Sequence, residues 1–175
     1  LIIAYYLFTG SIRKDIFIFS VQLLSLMPGR PGSYLRVAFN RIAMSYCDTE
    51  CVIGFGTLFS QSDTEIHKGV YIGPQCNIGT CSIGKDSLIA SGVHIMSGSK
   101  QHFFGDIEKP IQQQGGTYTK INIGEDCWIG NSSLVMANIG DKCIIGAGSV
   151  VTEDIPAYSI AVGNPARVIK TRLAD

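Results

Sequence analysis

An isoleucine or valine returns every six residues through most of this chain. Ile66, Ile72 and Ile78 form one series, and Ile83, Ile89 and Ile95 a second after a five-residue step. Ile123, Ile129 and Val135 form a third series, and Ile139, Ile145 and Val151 a fourth after a four-residue step. Gly directly follows the aliphatic residue at Ile72, Ile78, Ile83, Ile123, Ile129, Ile139 and Ile145. A period of six is neither the helical 3.6 nor the alternation of a half-buried strand. It is the period of a parallel β-helix, in which each flat side of a coil takes about six residues before the chain turns.

Composition supports a long stacked core. The chain has 175 residues, 46% of them hydrophobic and only 16% charged, with 20 Gly against 6 Pro. Gly in that excess marks repeated turns rather than disorder. Lys and Arg total 14, equal to Asp and Glu, so no global charge recommends a nucleic-acid partner. The six cysteines include no CxxC pair. Cys76, Cys127 and Cys143 each lie four residues after a repeat isoleucine, in the slot that elsewhere holds Val70, Ser87, Val93, Ser133 and Ser149. That slot takes small residues near a tight turn, where Cys behaves as a small hydrophobe. The expectation is reduced, structural thiols in a reducing compartment.

Residues 1–50 read as a helical flank and cap, 51–162 as the β-helix with an inserted loop at 99–118, and 163–175 as a basic tail. The apolar run Ile16–Met27 is shorter than the about 20 residues needed to span a bilayer. It reads as a helix packed on the first coil, with peripheral membrane contact through residues 1–27 as the alternative. Pro28-Gly29-Arg30-Pro31-Gly32 reads as a linker or sharp turn. Tyr34 to Met44 reads as a short helix with Tyr34, Leu35, Ala38, Phe39 and Ile42 on one face and Arg36, Asn40 and Arg41 off it. Such a helix would cap the open end of the coil stack. The period breaks at residues 99–118 and resumes at Ile121, and an insertion of that length in a regular solenoid points to function.

Only three histidines are available as a general base. His67 and His94 flank repeat isoleucines and read as exposed rung residues. His102 lies in the insertion beside Gln101 and two aromatics, where a partly desolvated imidazole can accept a proton near neutrality.

The segments Ile123-Gly-Glu-Asp-Cys-Trp-Ile-Gly130, Ile145-Gly-Ala-Gly-Ser-Val-Val-Thr152 and Gly163-Asn-Pro-Ala-Arg-Val-Ile-Lys170, in that order, resemble the C-terminal hallmark of the hexapeptide-repeat acyltransferases that use acetyl-CoA. Tyr34–Phe39, Phe55–Ser60, Ser97–His102 and Pro110–Gly116 look like a narrower branch, the O-acetyltransferases of capsule, exopolysaccharide or lipopolysaccharide biosynthesis. The resemblance implies an all-β fold: a left-handed parallel β-helix with a short N-terminal helical cap and an extended loop. It implies a cytoplasmic acetyl-CoA-dependent O-acetyltransferase acting on a sugar hydroxyl or glycan, at the inner face of the membrane where residues 1–27 make contact. His102 matches the family's general base, and Asn131 the backbone N–H that holds the oxyanion. Trp128 would line the coenzyme channel, with Gly130, Ala147 and Thr152 along the pantetheine arm. Arg167 and Lys170 would lie near the phosphates, with Arg172 able to join them. Family members associate as trimers, with the histidine of one chain facing coenzyme bound along its neighbour. No metal is expected.

Other readings use the same coil. A γ-class carbonic anhydrase holds zinc with three histidines, which must converge within about 2.1 Å of one metal. Counting hexapeptides puts His67 and His94 on different faces, which argues against it. A non-catalytic β-helix would leave the loop histidine and basic tail unexplained. An amino sugar, a serine or an antibiotic remains open as acceptor, although serine acetyltransferases carry a larger helical N-terminal domain. Asn77 and Gln75 are candidates for holding the acceptor, and Asp106 or Glu108 for orienting His102.

Overall fold

A computed structural model describes residues 10–173. Two helices, α1 (Gly10–Ser25) and α2 (Gly29–Ala43), precede three parallel sheets that form the sides of a triangular prism. The first side stacks β1 (Tyr46–Cys47), β4 (Glu65–Ile66), β7 (Cys81–Ile83) and β10 (Ile121–Ile123), and bridges at Ile139 and Ile155 extend it. The second side stacks β2 (Val52–Ile53), β5 (Tyr71–Ile72), β8 (Leu88–Ile89), β11 (Trp128–Ile129), β13 (Ile144–Ile145) and β15 (Ser159–Val162). The third stacks β3 (Leu58–Phe59), β6 (Asn77–Ile78), β9 (His94–Ile95), β12 (Leu134–Val135) and β14 (Val150–Val151). The chain therefore turns through one side after another, and the expected β-helix is the fold.

The six-residue period follows from what each position meets. The repeat aliphatic points into the prism, and Ile53, Ile66, Ile72, Ile78, Ile83, Ile89, Ile129 and Val151 are all fully buried. The Gly after it exists for close stacking. A Cβ on Gly54 would lie 2.4 Å from the Gly73 carbonyl carbon, and one on Gly130 2.5 Å from the Ala147 nitrogen. The third residue after the aliphatic turns the corner with positive φ, as at Gly69, Asp86, Asp126 and Lys142.

Where the fourth position holds Thr57, Cys76, Ser87, Cys127 or Cys143 rather than Val70 or Val93, its side chain also donates to a neighbouring coil. Thr57 Oγ1 donates to Gly73 O at 2.8 Å and Ser87 Oγ to Gly124 O at 2.8 Å. Cys76 Sγ donates to Ala90 O at 3.1 Å, Cys127 Sγ to Gly140 O at 3.1 Å and Cys143 Sγ to Pro156 O at 3.0 Å. The cysteines here replace serine or threonine in tying one coil to the next. All six cysteines are buried and free.

Corner length varies at only one edge. From first to second side and from second to third, successive inward residues stay six apart (Ile66, Ile72, Ile78; Ile123, Ile129, Val135). From third to first, the spacings Phe59–Ile66, Ile78–Ile83 and Val135–Ile139 differ, and the long insertion leaves from this same edge. The short steps trim that corner and leave Ile83 and Ile139 in register with the rungs beside them.

The helical cap departs from its expected orientation. α2 begins at Gly29, so Pro31 falls in its first turn, where a missing N–H costs nothing. Its buried residues are Gly32, Arg36, Val37, Asn40 and Ala43, with Arg36 only 3% exposed. The face expected to pack points outward: Tyr34 is 70% and Ile42 60% exposed, and of that set only Phe39 turns in, stacking on Phe17 with ring centroids 6.2 Å apart. The reason is the polar edge that the helices must cover. Arg36 Nε donates to Ile53 O at 3.0 Å, on the free edge of the first coil. Its Nη1 donates to Leu24 O at 3.1 Å and Met27 O at 2.7 Å, at the C-terminal end of α1. Three carbonyls, two of which would otherwise be orphaned, share one cation, which also suits the negative end of the α1 dipole. Ser33 Oγ accepts from Ile53 N–H at 3.3 Å, and Ser25 O from Gly56 N–H at 2.9 Å, completing the edge. Of the run at 1–27, residues 1–9 lie outside the described residues, while α1 packs on β3 through Phe17 and Val21.

Candidate active site

The insertion is an irregular projecting ribbon whose two arms are hydrogen-bonded near its base. Ser97 Oγ accepts from Thr80 N–H at 2.9 Å, and Ser97 O accepts from Thr119 N–H at 2.9 Å. Lys100 O accepts from Thr117 N–H at 2.8 Å, and Phe103 N–H donates to Gly115 O at 2.9 Å. Gly116 crosses so close to the opposite arm that a Cβ would sit 1.8 Å from Gln101 O. At the returning end Lys120 pairs with Glu65 of β4, and this hydrogen bond is the main reason the Glu65 carboxyl is held below the usual range. Gln114 ties the outer lobe together, donating to Asp106 O at 2.7 Å and Lys109 O at 2.8 Å.

His102 stands one residue beyond Gln101 on this ribbon and is exposed. Its imidazole makes no hydrogen bond or ion pair with any described residue. The partial desolvation expected for it is therefore not supplied within one chain, because the ribbon projects past the prism. Asp106 and Glu108 do not orient it. Asp106 Oδ1 accepts from Glu108 N–H at 3.1 Å, and Oδ2 lies 3.3 Å from Lys109 Nζ.

Two grooves flank the ribbon base. One, of about 290 Å³, lies on the third side and has a mixed lining, with Ser60, Asn77, His94 and Gln101 beside Met96 and Leu134. Asn77, His94 and Leu134 are successive partners on adjacent strands, so their side chains line up along the prism. His94 thus joins a groove, a role that its place in a regular rung hid. The other, of about 330 Å³, lies at the variable edge between Lys100, Thr119, Asn138 and Thr152. His102 and Asn131 line neither groove. His67 sits on the first side, its ring 5.1 Å from that of Tyr46 and its Nε2 3.8 Å from Glu65 Oε2, away from His94. Among the described residues no group of three or more His, Cys, Asp or Glu is placed to hold a metal ion.

The other candidates cluster by coil. Gly130 and Asn131 turn the corner between second and third sides, and Ala147 turns it one coil further on. Asn131 O accepts from Gly148 N–H at 2.8 Å. The Asn131 N–H has no acceptor among the described residues, so it is available as a donor on an exposed corner. Trp128 is 53% exposed on the second side, between Leu88 and Ile144. Residues 167–171 of the basic tail fold back as β16 (Arg167–Thr171), antiparallel to β15. Arg167 and Lys170 are exposed there, with Lys170 opposite Ile160. Arg172 is engaged elsewhere: it donates to Lys142 O at 2.9 Å and lies 3.7 Å from Asp126.

Comparison with known proteins places this architecture. A sequence profile described as "Hexapeptide repeat of succinyl-transferase" matches residues 120–153. The acetyltransferase VCA0836 of Vibrio cholerae, solved in complex with acetyl coenzyme A, superposes with a TM-score of 0.78 at 18% identity, covering 94% of this chain and 89% of that one. The fold is that of the hexapeptide-repeat acetyltransferases. A galactoside acetyltransferase solved with coenzyme A shares it with a TM-score of 0.74 at 22% identity, covering 95% and 84% of the two chains. A maltose O-acetyltransferase of Clostridium difficile 630 shares it at 0.68 and 22% identity, covering 91% and 87%. In sequence, a probable acetyltransferase of Mycobacterium tuberculosis is 41% identical over 92 residues, 51% of this chain. The match spans only 30% of that relative's length.

Proposed function

We propose that this chain is an acetyl-CoA-dependent O-acetyltransferase acting on a sugar hydroxyl in surface-polysaccharide synthesis. The observation that carries the reading is the position of His102, one residue beyond Gln101, which lines the groove of Ser60, Asn77 and His94. The polar side chains of that groove suit a hydroxyl-rich acceptor, and a histidine one residue from it suits removal of one hydroxyl proton. In this reading His102 takes that proton as the sugar oxygen attacks the thioester carbonyl. The Asn131 N–H donates to the oxygen on which charge develops, and the imidazolium returns its proton to the departing thiolate. Trp128, Gly130, Ala147 and Thr152 would line the coenzyme arm, and Arg167 and Lys170 its phosphates.

The site would be completed by further copies of the chain, in a homotrimer. Two observations support this. His102 is solvent-exposed on a ribbon whose Phe103, Phe104, Ile107, Ile111 and Tyr118 are also exposed, Ile107 to 91%. The second side carries an outward apolar row, Val52, Tyr71, Leu88, Trp128, Ile144 and Ile160, in register along six strands. A neighbour's apolar row against the ribbon would bury both and give His102 the shelter that a general base needs. A cytoplasmic location would supply both acetyl-CoA and the reducing conditions that keep the six thiols free.

The test is release of free coenzyme A from acetyl-CoA in the presence of mono- and oligosaccharide acceptors. Acceptor-dependent release should fall by about 10²–10⁴ in His102→Ala. It should persist in Asn131→Ala, because the proposed donor there is backbone. Acceptor-dependent turnover that survives in His102→Ala would overturn this assignment.

A further inference from the structure

The outward face of the helical cap is apolar, basic at its edges and, among the described residues, left exposed. Phe19 and Leu23 lie at i and i+4 on α1, Leu26 follows in the turn after it, and Tyr34 and Ile42, with Leu35 beside them, lie along α2; all six are exposed. Both helices turn their buried stripes toward the first coil, so these stripes look away from the prism together. The arrangement is not an accident of a weak helix. Arg36 and Asn40 take part of the inward side of α2 beside Val37 and Ala43, which leaves Tyr34, Leu35 and Ile42 outside.

Charge is segregated in the same direction. Residues 1–47 hold five basic side chains (Arg13, Lys14, Arg30, Arg36 and Arg41) against the single acid Asp15, while residues 48–175 hold nine basic and thirteen acidic. A chain of zero formal charge thus carries +4 up to Cys47, through both helices, and −4 beyond it. Arg36 is spent internally, but Lys14, Arg30 and Arg41 are exposed, and Arg41 lies on the same side of α2 as Tyr34 and Ile42. Among the described residues no helix is long and apolar enough to cross a membrane.

We infer that the α1–α2 face docks on an anionic lipid bilayer, lying in its surface with the prism directed away. The exposed apolar side chains enter the headgroup boundary while Lys14, Arg30 and Arg41 meet the lipid phosphates. The negative prism is repelled from the same surface, which fixes the orientation. A second copy of this chain is a poorer match, because two basic caps facing each other repel.

The test is co-sedimentation of the full chain with vesicles of phosphatidylcholine plus phosphatidylglycerol, against vesicles of phosphatidylcholine alone. Binding is expected to the anionic vesicles only, and to weaken as salt rises. Arg30→Gln and Arg41→Gln should each lower the partition coefficient by roughly fivefold at low salt. Leu26→Ser with Ile42→Ser should lower it more than tenfold with helicity and melting temperature unchanged, since both side chains are exposed. Absence of binding, or equal binding to neutral and anionic vesicles, would overturn the proposal. So would a Leu26→Ser, Ile42→Ser protein that still binds vesicles but has lost its oligomeric state, which would assign the face to self-association.

Discussion

Replacing Arg36 by Met is expected to cost far more than replacing either of the exposed residues that helical periodicity marks as core. Methionine keeps much of the volume and helix propensity but donates nothing. Of the three carbonyls that Arg36 serves, Ile53 O at the coil edge and Met27 O at the end of α1 lose their partner, while Leu24 O keeps the Met27 N–H at 3.2 Å. Leaving a buried polar group unsatisfied costs about 1–3 kcal/mol, so two orphaned carbonyls give about 2–6 kcal/mol. Relief from desolvating the guanidinium offsets part of this, which leaves about 2–4 kcal/mol. Tyr34→Ser and Ile42→Ser, on the exposed face, should stay within about 0.5 kcal/mol. Urea unfolding at fixed protein concentration, followed by helix and tryptophan signals, gives the three values. An Ile42→Ser cost above that of Arg36→Met would refute the orientation of α2 and the account of why it is turned that way.

Three further outcomes follow from the coil geometry. Gly54→Ala should destabilise by about 1–3 kcal/mol because its Cβ would meet the rigid Gly73 backbone at 2.4 Å, whereas Gly105→Ala, with nothing within 4 Å, should change thermal stability little. Cys143→Ser should be nearly neutral in chemical denaturation, since serine fills this slot elsewhere. Cys143→Val should cost about 1–2 kcal/mol by leaving Pro156 O without its donor. The Lys120–Glu65 pair should be pH-dependent in a defined direction. The folded carboxyl is held below its ordinary value chiefly by the Lys120 hydrogen bond, so its stabilisation is present above the ordinary carboxylate range and lost as pH falls through the depressed value. The melting-temperature gap between the protein and Lys120→Met should therefore narrow on acidification.

The β-helix was legible because its period is imposed by geometry that every coil repeats. An inward aliphatic, a stacking glycine and a left-handed corner residue each occupy a fixed place, so Ile66 through Val151 announced the rungs. The short steps after Ile78 and Val135 were legible as irregularities but not as a rule. Only the sheet pairing shows that the edge from third to first side absorbs all variation, including the ribbon bearing His102. The cysteines were read as small hydrophobes, and their donation to the next coil was hidden because it is a contact between residues 13 or 14 apart. Helical periodicity points to the wrong face of α2 because it counts apolar residues and ignores unpaired carbonyls. Arg36 is drawn in by the polar edge of the first coil, a feature that no window on the helix contains. At the candidate site, His102 and the corner at Asn131 could be singled out from sequence. The groove of Asn77, His94 and Gln101 could not, since it joins three coils and the loop.

The proposed coenzyme site has its phosphates at Arg167 and Lys170. It is tested most directly by titration calorimetry of acetyl-CoA into the purified protein and into Arg167→Ala, Lys170→Ala. Micromolar binding that weakens at least tenfold in the double variant is the expected result. No heat of binding at millimolar coenzyme, or affinity unchanged by removal of both cations, would contradict it.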